Sequence, residues 1–170
     1  LPDYRMVQLM GPAMLVYNDS VFSDADFENI QRLGMGGKRE NLWKTGRFGV
    51  GFNSVYHVTD YPSFISRDRI VFFDPHAWAI PGTSSGEPGR SWLFAQEGWW
   101  DYPDFMRIYE PGGLEFGTEN FEGTLFRLPL RTITHAKRSQ IRNQPFTKEN
   151  VQQLLVELMQ SGEELLLFLK

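Results

Sequence analysis

Lys44-Thr45-Gly46-Arg47-Phe48-Gly49-Val50-Gly51-Phe52-Asn53-Ser54-Val55-Tyr56 is the stretch whose reading decides the fold. Glycines at 46, 49 and 51 stand just before residues that read as the first turns of a helix. Glycine tolerates positive φ and lets a ligand come close to the backbone. Free N–H groups at a helix start, helped by the helix dipole, favour an anion such as phosphate. Lys44 and Arg47 add charge of the right sign. The spacing alone also fits a glycine-rich surface turn, and both readings stay open at this level. The stretch is not a P-loop, which needs Gly-Lys-Ser/Thr, and it is not the dinucleotide-binding pattern.

Outward from this stretch, the residues from Leu33 to Gly51 carry six glycines with Lys38, Arg39, Lys44 and Arg47 between them. Each glycine costs about 1 kcal/mol against alanine in a helix, so the segment reads as a mobile basic loop. Before it, Ser23 and Asp26 form a capping-box-like start for a helix with Phe27, Ile30 and Leu33 on one side, ended by Gly34. Earlier still, Ala13 to Tyr17 reads as a buried strand stopped by Asn18-Asp19-Ser20. After the stretch, Ser63-Phe64-Ile65 and Ile70 to Phe73 read as a hairpin around Arg67-Asp68. Gly123 to Leu128 alternates as a strand and Pro129 stops it. Thr147 caps a helix striped by Val151, Leu154, Leu155 and Leu158, and Leu165 to Leu169 is a last apolar run. Trp92 to Tyr109 is aromatic-rich without a clean period.

Composition narrows the function. Lys plus Arg is 17 against 21 Asp plus Glu, a net charge of −4, which makes the chain a poor ligand for phosphate backbones, so nucleic acid is not expected as a partner. No apolar run reaches about 18 residues, so no membrane span is expected. Cysteine is absent, which removes disulfides, cysteine zinc sites and thiol nucleophiles and fits a reducing, cytoplasmic setting. His57, His76 and His135 are far apart and form no spaced ligand pair, so no metal site is expected on histidine. Trp92, Trp99 and Trp100 fit core positions better than a ligand platform, and Glu97, Asp101, Asp104 and Glu110 read as solvated acids. Lys137, Arg138 and Arg142 read as a solvated basic cluster.

The residue identities go further than the spacing. Gly-x-Phe-Gly-Val-Gly-Phe-x-Ser-x-Tyr, here Gly46 to Tyr56, resembles the glycine motif of the ninety-kilodalton heat-shock chaperones, members of the gyrase, histidine kinase and mismatch-repair ATPase superfamily. The longer match resembles the sacsin family more closely still. Gly11-Pro12-Ala13, Tyr17-Asn18-Asp19, Phe22-Ser23, Asp26-Phe27, the run Lys44 to His57, Thr59-Asp60, Asp74-Pro75-His76 and Leu166 to Lys170 carry it in order, most weakly from Ile80 to Gly117. The resemblance implies an α+β fold: a two-layer sandwich with a mixed, mostly antiparallel sheet and helices on one face. Residues 1–170 would form one domain, truncated at its N-terminus, with 33–45 as a lid-like loop and 80–118 as an unassigned insertion.

The same resemblance places a site. Asn18, with Asp19 beside it, would accept the adenine amino hydrogen at the end of the first strand, where the family's following glycines are missing. An Asx-turn closing that strand is the equal alternative for these two residues. Lys44, Gly46, Arg47, Phe48, Gly49, Val50, Gly51 and Phe52 would surround the phosphates, Phe48 and Phe52 turning inward, and the Thr124 hydroxyl would support the adenine network. The family's Glu-x-x-x-Asn helix, which activates water and holds magnesium, has no counterpart: no Glu here is followed four residues later by Asn. The helix would lie before Leu1, so the chain, which has no initiator Met, is expected to be a piece of a longer one. The expectation is therefore a chaperone module that binds ATP or ADP, with magnesium only if that helix is supplied, and that hydrolyses nothing alone. Its partners would be client or co-chaperone proteins. The alternative is a non-catalytic interaction scaffold using the aromatic region Trp92 to Tyr109.

Overall fold

The computed structural model describes residues 3–34 (side chains through residue 30), 52–94 and 98–161. The glycine motif from 46 to 51, the lid-like loop beyond residue 34 and the apolar run 165–169 lie outside the described residues.

The chain opens with a 3-10 turn over Tyr4–Leu9, capped by Asp3, whose carboxylate accepts from the Arg5 N–H at 2.7 Å. Strand β1 (Ala13–Asn18) and helix α1 (Asp24–Gly34) follow. The start of α1 is fixed by reciprocal bonds: Asp26 N–H donates to Ser23 Oγ at 3.2 Å, and Ser23 N–H donates to the Asp26 carboxylate at 2.9 Å. Phe52 and Asn53 are helical and run into a 3-10 turn over Ser54–His57. β2 (Ser63–Arg67) and β3 (Arg69–Phe73) form the expected hairpin, with Phe64 opposite Val71 and Ile65 opposite Ile70. Arg67, at its tip, has φ 53° and reaches the Asp24 carboxylate at 2.8 Å, which ties the hairpin to the start of α1.

β4 (Gly89–Leu93), a 3-10 turn over Trp99–Asp101 and α2 (Pro103–Arg107) fill the region that shows no period in sequence. β5 (Phe121–Pro129), α3 (Ile133–Arg138) and α4 (Lys148–Gln160) complete the described elements. Thr147 caps α4, with its backbone N–H donating to the Asn150 side chain at 2.8 Å.

The five strands make one sheet in the order β1-β5-β2-β3-β4, each pair antiparallel. Residues opposite one another in such pairs share a face. One face carries Leu15, Leu125, Ile65, Ile70 and Phe72, and it is covered by Met6 and Leu9 of the first turn and by Phe94, Trp99, Met106 and Tyr109. The other carries Phe126, Phe64, Val71 and Phe73, under Phe27 and Ile30 of α1, with Phe22 and Phe52 packed against them. Each large apolar side chain so buried contributes on the order of 1.5–3 kcal/mol. The α+β class and the layered sheet-and-helix architecture expected from the sequence are those the chain adopts. Trp99 has no exposed surface, so the aromatic region belongs to the core, and Trp92 and Trp100 pack against it.

Arg127 stands on the first face, buried, with no carboxylate partner among the described residues. Its guanidinium donates to the carbonyls of Leu9 and Gly11, the latter at 2.7 Å, and so holds the N-terminal turn to the sheet. Burial lowers its pKa. Among the described residues no helix is long and apolar enough to cross a membrane.

Candidate functional site

The register of the sheet decides which of the expected site residues meet. Asn18 of β1 stands opposite Thr124 of β5, and Thr124 stands opposite Ser66 of β2. These three therefore form one polar row across three strands, on the face that α1 covers. The next row on that face is Val16, Phe126, Phe64 and Val71. Phe52 turns inward as expected: its ring lies 4.9 Å from that of Phe73 and 6.4 Å from that of Phe126. Asn18, Thr124 and Phe52, far apart in the chain, thus border one side of the sheet. Lys44, Gly46, Arg47, Phe48, Gly49, Val50 and Gly51 lie outside the described residues.

The polar row is already bonded. Thr124 Oγ1 is buried and donates to Ser20 O at 2.7 Å. Ser66 Oγ lies 3.0 Å from Thr124 Oγ1, donates to Gly123 O at 2.8 Å and accepts from Phe22 N–H at 3.0 Å. The two hydroxyls thus pull the connection from Asn18 to Phe22 down onto the sheet. Asn18 Oδ1 accepts from Ser20 N–H at 2.9 Å, an Asx-turn that closes the strand. Among the described residues nothing else bonds that oxygen or the side-chain NH2. Asp19 is exposed. Ser66 has no signal in the sequence beyond being a serine in a hairpin.

A cavity of about 540 Å³ opens on the same face, between β1, β5, the turn after Phe52, and α4. Val16, Val58, Leu128 and Leu154 supply apolar walls, and Ser54 and Asn150 supply polar ones. Its size is within the range of small-molecule sites, about 300–1,000 Å³.

The helical turn bordering this cavity is held from below. Arg131, fully buried, pairs with buried Asp60 at 2.8 Å and donates to the carbonyls of Tyr56 (2.6 Å), His57 (3.2 Å) and Thr59 (3.0 Å). One guanidinium thereby satisfies the carbonyls that end the segment beginning at Phe52. The sequence marks Thr59-Asp60 only as a family-like patch and gives no sign of Arg131.

Asp60 also anchors the loop after α3. Its Oδ1 accepts from Ser139 Oγ at 3.0 Å, and Ser139 Oγ accepts from the N–H groups of Ile141 (3.2 Å) and Arg142 (3.3 Å). Gln140 N–H donates to His76 Nε2 at 2.9 Å. Lys137, Arg138 and Arg142 are exposed, as expected, but two of them are tied down. Arg138 sits over the Trp78 ring at 4.8 Å and bonds Gln8, while Arg142 Nη1 lies 2.6 Å from His57 Nδ1.

His76 and His135 have pKa values lowered mainly by burial. The native state therefore favours the neutral rings, and the unfolded chain takes up protons first as pH falls. Stability is full above the unfolded value of about 6.5 and declines as pH drops through it toward the lowered native values. A protonated His76 cannot accept from Gln140. The thermal midpoint should fall between about pH 7.5 and about pH 5, and the fall should be smaller in His76→Asn. A midpoint that rises on acidification would contradict this.

A family model described as a Sacsin domain matches residues 2–170. Sacsin of Homo sapiens is 44% identical over 169 residues, which is 98% of this chain and 4% of that protein. The chain thus spans a small part of the length of the curated relative it matches.

Proposed function

The chain belongs to the sacsin family, and from that premise we propose that it is a chaperone module with an adenine-nucleotide pocket, incomplete for hydrolysis. The observation that carries the reading is the placement of Asn18, Thr124 and Phe52 on one face of the sheet, the face that also carries a cavity of about 540 Å³, though none of the three lines it. Asn18 would orient the base, Thr124 would support it by holding the strand end that carries it, and Phe126 and Phe52 would give it an apolar floor. The glycine stretch that follows the lid-like loop would supply backbone N–H groups to the phosphates. The kinship with the heat-shock-90 ATP-binding fold, the cytoplasmic setting and the client or co-chaperone partners are parts of the same proposal.

Hydrolysis needs a base for water and a magnesium ion between the phosphates. No Glu-x-x-x-Asn occurs in these 170 residues to supply them. This chain should therefore bind ADP and turn over ATP no faster than buffer. Calorimetry or amide chemical shifts at Asn18, Thr124 and Phe52 would follow the binding. If no saturable response appears at millimolar ADP, the pocket reading is wrong. Steady turnover that Phe52→Ala abolishes would overturn the incompleteness. A non-catalytic scaffold is the second reading, but the surface expected for it, Trp92 to Tyr109, has Phe94, Trp99, Met106 and Tyr109 buried. The scaffold draws instead on the exposed Leu155, Val156, Leu158 and Met159 of α4, and it would stand if no nucleotide binds.

A further inference from the structure

A second depression, about 400 Å³, lies between the turn after Phe52 and the loop that follows α3. Asn53, His57, Arg142, Asn143 and Gln144 line it, and no carboxylate is among its lining residues. None of the ion pairs formed among the described residues involves Arg142. Its guanidinium is instead aimed by two neutral acceptors, His57 Nδ1 at 2.6 Å and Gln144 Oε1 at 3.0 Å. Arginine stays protonated, so His57 accepts at Nδ1 and carries its proton at Nε2. Gln144 accepts through Oε1, and among the described residues its NH2 group has no acceptor. The loop is not loosely tethered, because Ser139 fixes the Ile141 and Arg142 amides and is itself bonded to buried Asp60.

We propose that this groove binds a phosphoryl oxyanion. The lining offers a positive charge with no carboxylate partner among the described residues and amide donors from two separate chain segments, which suits a tetrahedral group with three terminal oxygens better than a planar carboxylate. The guanidinium is held in place before any ligand arrives, so little side-chain entropy is lost on binding. None of its residues belongs to the polar row or the aromatic floor, but His57 lines both this groove and the larger cavity and Asn53 lies in the glycine-motif stretch, so the two sites adjoin.

The test is a titration of the whole chain with inorganic phosphate, pyrophosphate, acetate and ADP, followed by amide and histidine-ring chemical shifts at constant ionic strength. Phosphate or pyrophosphate should shift the Asn53 and Gln144 side-chain amides and the His57 ring saturably, with acetate clearly weaker. Arg142→Gln should weaken the apparent Kd about tenfold or more, and Arg142→Lys should fall between, with unchanged shifts across β2 and β3 as the sign of an intact fold. Shifts that acetate reproduces, or that survive in Arg142→Gln, overturn the proposal. ADP separates the sources of the oxyanion. If the groove and Thr124 respond together, the nucleotide supplies the phosphoryl group. If phosphate shifts the groove while ADP leaves Thr124 unmoved, the groove stands and the nucleotide reading falls.

Discussion

Arg131→Ala is expected to cost about 3–5 kcal/mol, a large share of the roughly 5–15 kcal/mol that holds a domain folded. The side chain has no exposed surface and Asp60 has 1%, so removing the guanidinium leaves a carboxylate buried without its counter-charge. It also strips donors from the carbonyls of Tyr56, His57 and Thr59, which sit where the turn after Phe52 ends. A buried polar group that loses its partner suffers its full desolvation penalty, about 1–3 kcal/mol each. Arg131→Lys keeps a charge but not the planar fork, and should lie between alanine and the native residue. Urea unfolding measures both, as a lower midpoint at unchanged slope. A loss under about 1 kcal/mol for alanine would show that water reaches this site and that the pair does not hold the turn. Amide exchange at residues 56–59 should rise before that of β2 and β3, because the cap is local and the sheet is not.

The parts that were legible in the sequence share one property: their signals are local. Ser23 with Asp26 announces one helix start and Thr147 another, and the bonds are there, with Asn150 as the partner of Thr147. The hairpin around Arg67-Asp68 follows from two apolar runs and a short gap. The described residues between Phe94 and Tyr109 show no period because the buried ones sit in separate short turns and one short helix. Phe94, Trp99 and Tyr109 have no exposed surface and sit in turns, while Asp101, Asp104 and Arg107 between them are exposed, so no single spacing repeats. The site is legible in the same partial way. Thr124 and Asn18 stand at a strand and a strand end that patterning locates, and the register then sets them opposite each other. Ser66 enters the same row only through that register. Arg131 and Asp60 are 71 residues apart, and in sequence nothing separates Arg131 from any solvated arginine. Burial and partnership across the chain are global properties, so a local pattern does not carry them.

Gly123→Ala is the second large effect, expected to cost about 2–4 kcal/mol from strain and close contact together. Gly123 has φ 115°, a conformation that residues with a Cβ rarely adopt. A Cβ there would also stand 2.7 Å from Asn18 O and 2.6 Å from Tyr17 Cε2. The Tyr17 ring is half exposed and can swing away, at the loss of its bond to Glu122 O. The Asn18 carbonyl cannot move so cheaply, because Asn18 is paired with Thr124 in the ladder. Alanine should therefore push the end of β1 away from β5 where the polar row forms. Gly113→Ala separates the two causes. Its φ is 98°, yet a Cβ added there would meet nothing within 4 Å, so it reads backbone strain alone. The excess loss in Gly123→Ala over Gly113→Ala measures the close approach of the strands. Equal losses would mean that β1 gives way freely and that Asn18 is not held against Thr124. If the nucleotide reading is right, Gly123→Ala also abolishes the ADP response at temperatures where the chain is still folded, and Gly113→Ala leaves that response intact.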